Sequence, residues 1–140
     1  MTMKIIRFSQ RGLVGHWRFN EGTGSTAKDS SPFGNNGTIH GASWVRGKFG
    51  YALKFDGTDD YVDCGSDDSL NITDAITIEA WIYPKGAGVS TYPRIIDKSS
   101  SVSGTAPGYK IYLKSTENYK VYLSAGEAYH VSVSTATLNS

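Results

Sequence analysis

The chain has little from which to build a disulfide-bonded or membrane-spanning protein. It contains one cysteine, Cys64, among 140 residues, which excludes an internal disulfide and any CxxC metal site. No apolar run approaches the roughly 20 residues that a spanning helix needs, so we predict no membrane insertion. The opening residues, MTMKIIRFSQRG, lack the apolar segment of a signal peptide.

An excess of charge of one sign is also missing. Fourteen basic residues balance thirteen acidic ones, leaving a net charge of +1. The basic residues are scattered, and even their densest stretches, such as Arg46 with Lys48, are interrupted by glycine or apolar positions. A nucleic-acid-binding surface normally shows a clustered basic patch, so we predict no nucleic-acid partner.

The sequence also lacks helical periodicity, and its pattern is typical of β-strands. Sixteen glycines and nine tyrosines accompany short alternating segments separated by turn residues. The length fits one domain, residues 1–140, with residues 1–11 as an N-terminal extension or an edge strand. The pattern predicts an all-β jelly-roll sandwich of two antiparallel sheets. The predicted strands cover residues 13–19, 38–45, 51–55, 61–64, 75–84, 94–97, 109–114, 119–123 and 130–135.

Two of these segments predict side-chain placement. Residues 75–84, AITIEAWIYP, alternate so that the isoleucines share one face of the strand and Glu79, Trp81 and Tyr83 share the other. Residues 109–114 and 119–123 predict a hairpin. A register that pairs Ile111 with Val121 keeps the apolar residues on one face and avoids opposing two lysines.

Three motifs then occur in a specific order. They are VGHWRFNEGTG (14–24), KDSSPFGNNGTIHGASWVRGKFGYALKFDGTDDYVDC (28–64) and ITIEAWIYP (76–84). From about residue 12 to about residue 124 the chain resembles laminin-G-like, pentraxin-related domains of the concanavalin-A-like lectin/glucanase superfamily. The resemblance implies a jelly roll of two packed sheets.

The resemblance also implies a setting and a role. Such domains are typically accessory modules of extracellular proteins, so we expect an extracellular or surface-exposed protein that binds a glycan or a surface protein. The resemblance implies further strands after residue 140, so we expect a fragment of a longer protein, a shortened version of the domain, or a partner that supplies the missing strands. Open sheet edges recruit other chains, so we also expect self-association.

A calcium ion often lies at the rim of these domains. By motif match, the residues that would bind it here are Asp29, Asn35 and Asp56. Calcium prefers six to eight oxygen ligands gathered from loops. The same residues are also ordinary turn formers, so a calcium site and simple turn chemistry both remain open.

Catalysis is not expected. Glycosidases use a pair of carboxylates, and the best strand carries only Glu79. Sugars instead bind to aromatic faces flanked by polar groups. The sequence offers two such platforms, which consist of Tyr112 and Tyr122 with Lys110 and Lys120, and of Trp81 and Tyr83. We therefore predict a non-catalytic carbohydrate-binding module, with a self-assembling structural or adhesion subunit as the alternative and a glycoside hydrolase as the least favoured one.

Overall fold

A computed structural model describes residues 2–7, 12–73, 75–85, 93–99, 108–115 and 119–125. For residues 113–115, 119–125 and most of 2–7, only the backbone is described. The described residues form eleven strands and one short 3-10 helix, so the predicted all-β class is confirmed. The strands pair antiparallel throughout. The chain divides into two compact units, Met1–Pro84 and Lys85–Ser140.

The first unit holds three small sheets. Their strand orders are β2-β1-β8, β3-β4-β7 and β5-β6, and the 3-10 helix, Asp68–Leu70, follows β7. The strands are β1 (Thr2–Arg7), β2 (Leu13–Trp17), β3 (Thr26–Ala27), β4 (Gly37–His40), β5 (Ser43–Arg46), β6 (Tyr51–Lys54), β7 (Tyr61–Asp63) and β8 (Ile76–Trp81).

β1 was expected to be an extension or an edge strand, and instead it is the middle strand of its sheet. It pairs with β2 on one side and with β8 on the other. Met3 lies opposite both Trp17 and Ala80, and Met3 and Trp17 are buried. Because side chains alternate along a strand, the face that carries Ala80 is the core face of this sheet. The outer face carries Glu79 and Trp81, which share a face as the sequence predicted; that this face is the exposed one is a finding of the structure.

The core of the first unit gathers around Trp17 and Phe19, the largest fully buried side chains. The Trp17 indole N–H donates to the Asn35 carbonyl at 2.7 Å, so its polar atom is satisfied inside the core. The other buried apolar residues of this unit are Met3, Val14, Ala27, Leu53 and Leu70.

The described residues of the second unit form one sheet of order β11-β10-β9, built from β9 (Arg94–Ser99), β10 (Gly108–Ser115) and β11 (Tyr119–Ala125). Tyr109 and Ile111 of β10 are buried, which marks one face of β10 as the inner face. The strand predicted at 130–135 lies outside the described residues.

The predicted hairpin register was wrong by two residues. Ile111 pairs with Leu123 rather than with Val121, and Tyr112 consequently lies opposite Tyr122. A two-residue shift keeps every side chain on the same face, so the face rule allowed both registers. The observed register opposes Lys114 to Lys120, a cost of a few tenths of a kcal/mol that the aromatic cross-strand pair offsets at about the same scale.

Candidate functional site

The outer face of β8 presents two aromatic side chains to solvent. Trp81 is 74% exposed and Tyr83, just beyond the strand, is 73% exposed. Glu79, two residues before Trp81, is also exposed and on the same face. Residues two apart along an extended chain lie about 7 Å from one another. One carboxylate and one aromatic ring therefore follow one another along the outside of β8, and a second exposed ring lies just beyond its end.

This arrangement suits a ligand that is partly apolar and rich in hydroxyl groups. The faces of the indole and phenol rings can stack against the C–H face of a sugar ring. The Glu79 carboxylate accepts hydrogen bonds only, so it fits hydroxyl donors. Large aromatic side chains are mostly buried in folded proteins, which makes two strongly exposed ones in succession informative.

A second polar and aromatic face lies on the sheet of the other unit. Lys110 and Tyr112 alternate with the buried Tyr109 and Ile111, so they point to the outer face of β10. The register places Tyr122 of β11 opposite Tyr112.

β9 adds two charged residues to this second face that the sequence analysis did not single out. Asp97 lies opposite Lys110, and Arg94 lies opposite Tyr112 across a β-bulge. The Arg94 guanidinium forms an ion pair with the Asp97 carboxylate. Lys120 of β11, which was predicted to belong to this platform, lies opposite Lys114 of β10. The sequence does not show which residues of β9 lie opposite Lys110 and Tyr112, because this pairing depends on the β-bulge.

Asp29, the first predicted metal ligand, instead organises its own loop. Its Oδ1 accepts hydrogen bonds from the backbone amides of His16 and Ser31, both at 2.8 Å. Its Oδ2 accepts from the Ser31 hydroxyl at 2.6 Å and from the Asn35 amide at 2.8 Å. A carboxylate has about four acceptor positions, so the protein itself occupies all of them.

These hydrogen bonds also set the charge state of Asp29. Partial burial raises the pKa of the carboxyl group, but the Ser31 hydroxyl and the three backbone amides outweigh burial and hold the pKa below its ordinary value. The ionised carboxylate is therefore the form that the folded loop stabilises.

Asn35, the second predicted ligand, is buried at 8% exposure. Its amide nitrogen donates to the Ser69 hydroxyl at 2.9 Å and to the Val14 carbonyl at 3.4 Å. Its backbone carbonyl accepts from Trp17. These contacts join the loop to the core and to the 3-10 helix, so Asn35 fits a structural role better than that of a calcium ligand.

The third predicted ligand, Asp56, lies in an exposed acidic turn. Carboxylate oxygens of Asp56, Asp59 and Asp60 come within 4.8 Å of one another. Two of these groups also close the turn, since Asp60 accepts from the Asp56 amide and Asp56 from the Thr58 amide. Hard oxygen donors are what calcium prefers, and this turn gathers more of them than Asp29 and Asn35 can offer. Calcium binding stays a prediction.

The thiol of Cys64 is partly buried and is not suited to a reactive site. Burial raises the pKa of Cys64 to about 12, and the neighbouring carboxylates of Asp63 and Asp29 add to the rise. A thiol that stays protonated is a poor nucleophile. Within the described residues, no helix is long and apolar enough to cross a membrane.

Comparison with known protein families agrees with this architecture. A laminin G-like family model of the concanavalin A-like lectin/glucanases superfamily matches residues 56–140, more than half of the chain. No curated protein and no solved structure gives a significant match. The chain belongs to this laminin G-like family. Domains of this family are often non-catalytic binding modules and are typically extracellular.

The family match begins at Asp56 and therefore includes the acidic turn, β8 and the second unit. Both aromatic platforms lie within it. The motifs before residue 56, among them VGHWRFNEGTG, lie outside the matched range, so the wider resemblance from about residue 12 stays a prediction.

Proposed function

We propose that this chain is a non-catalytic carbohydrate-binding module that acts outside the cell or at its surface. The ligand binds to the outer face of β8, on the side chains of Trp81, Tyr83 and Glu79. The observation that carries the proposal is the exposure of Trp81, at 74%, on the outer face of β8 and of Tyr83, at 73%, just beyond the end of that strand.

Exposure of these rings has a cost that a ligand would remove. Burying a large aromatic side chain gains about 1.5–3 kcal/mol relative to leaving it in water. The core face of the same strand is already occupied, since Ala80 lies opposite the buried Met3. The exposed Trp81 ring therefore lies on the face of β8 that points away from the core of this sheet.

The distribution of carboxylates supports a binding role over catalysis. A glycosidase needs two carboxyl groups on either side of the scissile bond, and Glu79 is the only carboxylate within Ile76–Trp81. The clustered carboxylates of Asp56, Asp59 and Asp60 lie in a turn, and those of Asp56 and Asp60 accept hydrogen bonds that close it. Tyr61 follows this turn directly, but a single aromatic ring does not form a platform of the kind found at Trp81 and Tyr83.

The test is a glycan array screened with the wild-type protein, with and without added calcium. The strongest ligand is then titrated against Trp81→Ala and Tyr83→Ala variants. We expect each substitution to weaken binding about tenfold, since each removes one stacking surface. Screening both with and without calcium separates a metal-dependent ligand from a metal-independent one.

Two control variants make the titration specific. Phe33→Ala removes another exposed ring, 51% exposed, and is expected to leave binding unchanged. Tyr112→Ala tests the second platform, which the sequence favoured equally. If Tyr112→Ala abolishes binding while Trp81→Ala does not, the ligand lies on the sheet of the second unit instead. An array without hits in either condition contradicts the carbohydrate proposal.

A structural or adhesion role is the second candidate function. Among the described strands, β8 pairs only with β1, and an edge strand that carries an exposed tryptophan is a surface on which another chain can add. A mass that rises with concentration in analytical ultracentrifugation, and that Trp81→Ala returns to monomer, supports this role. A constant monomeric mass contradicts it.

A further inference from the structure

The hairpin formed by β5 and β6 ends in the most exposed large apolar side chain of the described residues. Phe49 is 82% exposed and lies in the connection between Arg46 and Tyr51. The Lys48 ammonium group lies 5.9 Å from the centre of the Phe49 ring. The tip therefore presents an apolar ring with a cation beside it.

The base of this hairpin is held in place by several contacts. The Gly47 amide donates to the Gly50 carbonyl at 3.0 Å and closes the tip. The Arg46 guanidinium lies 4.6 Å above the centre of the Tyr51 ring, and the Tyr51 amide donates to the Asn20 side chain at 2.8 Å. The exposed ring is thus presented by an anchored support, which lowers the entropy lost on docking.

Charge on the hairpin has one sign. Residues 43–54, SWVRGKFGYALK, contain Arg46, Lys48 and Lys54 and no acidic residue. Arg46 and Lys48 lie within three residues of Phe49, which is within the screening distance of about 10 Å in ordinary salt. A partner that fits the tip must be both negatively charged at its surface and apolar beneath it.

We propose that the β5–β6 hairpin docks the protein on an anionic lipid surface. The Phe49 ring enters the boundary between headgroups and acyl chains, and Lys48 and Arg46 remain among the negatively charged headgroups. A bilayer supplies both features, because the apolar groups of interfacial helices bury about 5–10 Å into the boundary between headgroups and acyl chains, and anionic headgroups attract basic residues there. This docking needs no spanning segment, and it is independent of the carbohydrate site on β8.

A soluble polyanion is the principal alternative partner, and it fits the tip less well. It would attract Arg46 and Lys48 but would leave the Phe49 ring in water. Binding through charge alone would therefore depend on the lysine and not on the phenylalanine. This difference makes the two partners separable by substitution.

The test is co-sedimentation of the protein with vesicles of phosphatidylcholine, with and without phosphatidylserine. We expect binding only to the vesicles that contain phosphatidylserine, weakening as salt is raised. Phe49→Ala is expected to lower the partition coefficient about tenfold, since it removes most of the apolar area that enters the lipid. Lys48→Ala is expected to lower it about fivefold, the effect of one basic residue near an anionic leaflet.

The chain offers a matched control for each variant. Phe33→Ala and Lys28→Ala remove an exposed phenylalanine and an exposed lysine at other positions, and both are expected to bind vesicles as the wild type does. Absence of binding to phosphatidylserine vesicles overturns the proposal, and so does an equal loss in Phe33→Ala and Phe49→Ala. Dextran sulfate is the soluble polyanion used for comparison. If binding to it depends on Lys48 but not on Phe49, and binding to vesicles depends on neither residue, the hairpin binds a soluble polyanion instead.

Discussion

At the scale of single residues, Asp29 shows how hydrogen-bond donors from separate parts of the chain meet on one carboxylate, while its role as a calcium ligand stays a prediction. The motif predicted a calcium ligand, whereas four protein donors occupy both carboxylate oxygens. Sequence reasoning did identify the residue as a turn former, which is the interpretation that the contacts support. It could not decide between the two, because the donors come from His16, Ser31 and Asn35 and meet only in the folded loop.

The first prediction concerns the stability that Asp29 provides. Asp29→Asn replaces one acceptor oxygen by a donor NH₂ group that faces protein N–H or O–H donors. We expect a loss of about 2–3 kcal/mol in the free energy of unfolding, the scale for hydrogen bonds to a charged group. Urea denaturation measures it. Asp67→Asn is the control, since Asp67 accepts from Ser69 in a similar but exposed turn, and a loss as large as that of Asp29→Asn would contradict this account.

The same carboxylate predicts how stability depends on pH. The folded-state pKa of Asp29 lies below the ordinary value of 3.8, so its contribution is complete above the unfolded-state pKa and is lost as pH falls through the folded-state pKa. We expect the free energy of unfolding to decline on acidification below about pH 4. Asp29→Asn should show a shallower decline, and an unchanged slope would show that other groups cause the acid sensitivity.

A further residue-scale prediction concerns Cys64. Since burial raises the pKa of its thiol to about 12, the thiolate is scarce near neutral pH in the folded protein. We expect iodoacetamide to label Cys64 slowly in buffer and rapidly in urea at the same pH. Mass spectrometry measures both rates, and rapid labelling of the folded protein would contradict the raised pKa of the thiol.

At the scale of elements, the alternation of side chains along β8 was predictable from the sequence. The alternation in Ile76–Trp81 carries its own face assignment, and the exposed Trp81 and the core-facing Ala80 agree with it. The register of β10 with β11 was not predictable, because a two-residue shift preserves the faces. The middle position of β1 was missed for a similar reason, since a short apolar segment does not reveal how many partners it has.

β2 yields an element-scale prediction through a close contact between Gly15 and Trp17. A Cβ atom on Gly15 would lie 2.5 Å from the Trp17 ring, and that ring is only 1% exposed, so it has little room to move. Gly15→Ala is therefore expected to destabilise the fold by about 1–3 kcal/mol, as measured by thermal or urea unfolding.

A double variant distinguishes this clash from a general strand effect. Trp17→Phe shortens the ring that Gly15→Ala would meet. The double variant should then lose less stability than the two single variants together. Strict additivity would mean that the contact is not the cause of the Gly15→Ala effect.

At the scale of the whole molecule, the charge is balanced in sum but not in distribution. Residues 55–84 contain no lysine or arginine, although they include Asp56, Asp59 and Asp60, whereas the hairpin at 43–54 is purely basic. Arg46 and Lys48 are recognisable in the sequence as one of its densest basic stretches, but the glycine between them hides that both flank the tip of one hairpin. The composition gives only the charge averaged over all segments. The structure adds that Phe49 lies beside Lys48, which gives the hairpin tip a surface for a partner.

The family and the fold class were accessible from the sequence, whereas the choice of platform was not. The order of motifs predicted a laminin G-like domain, and a family match over residues 56–140 confirms it. Both aromatic platforms satisfied the same alternation rule. They differ in a quantity that the sequence does not contain, the exposure of the rings. Trp81 and Tyr83 are largely exposed, while Tyr112 is of intermediate exposure.

The affinity of the strongest array glycan for wild type, Trp81→Ala and Phe33→Ala tests the central claim most directly. Isothermal titration gives all three dissociation constants under one condition. The proposed site predicts about tenfold weaker binding for Trp81→Ala and unchanged binding for Phe33→Ala. Equal affinities for wild type and Trp81→Ala would contradict the assignment of the outer face of β8 as the carbohydrate site.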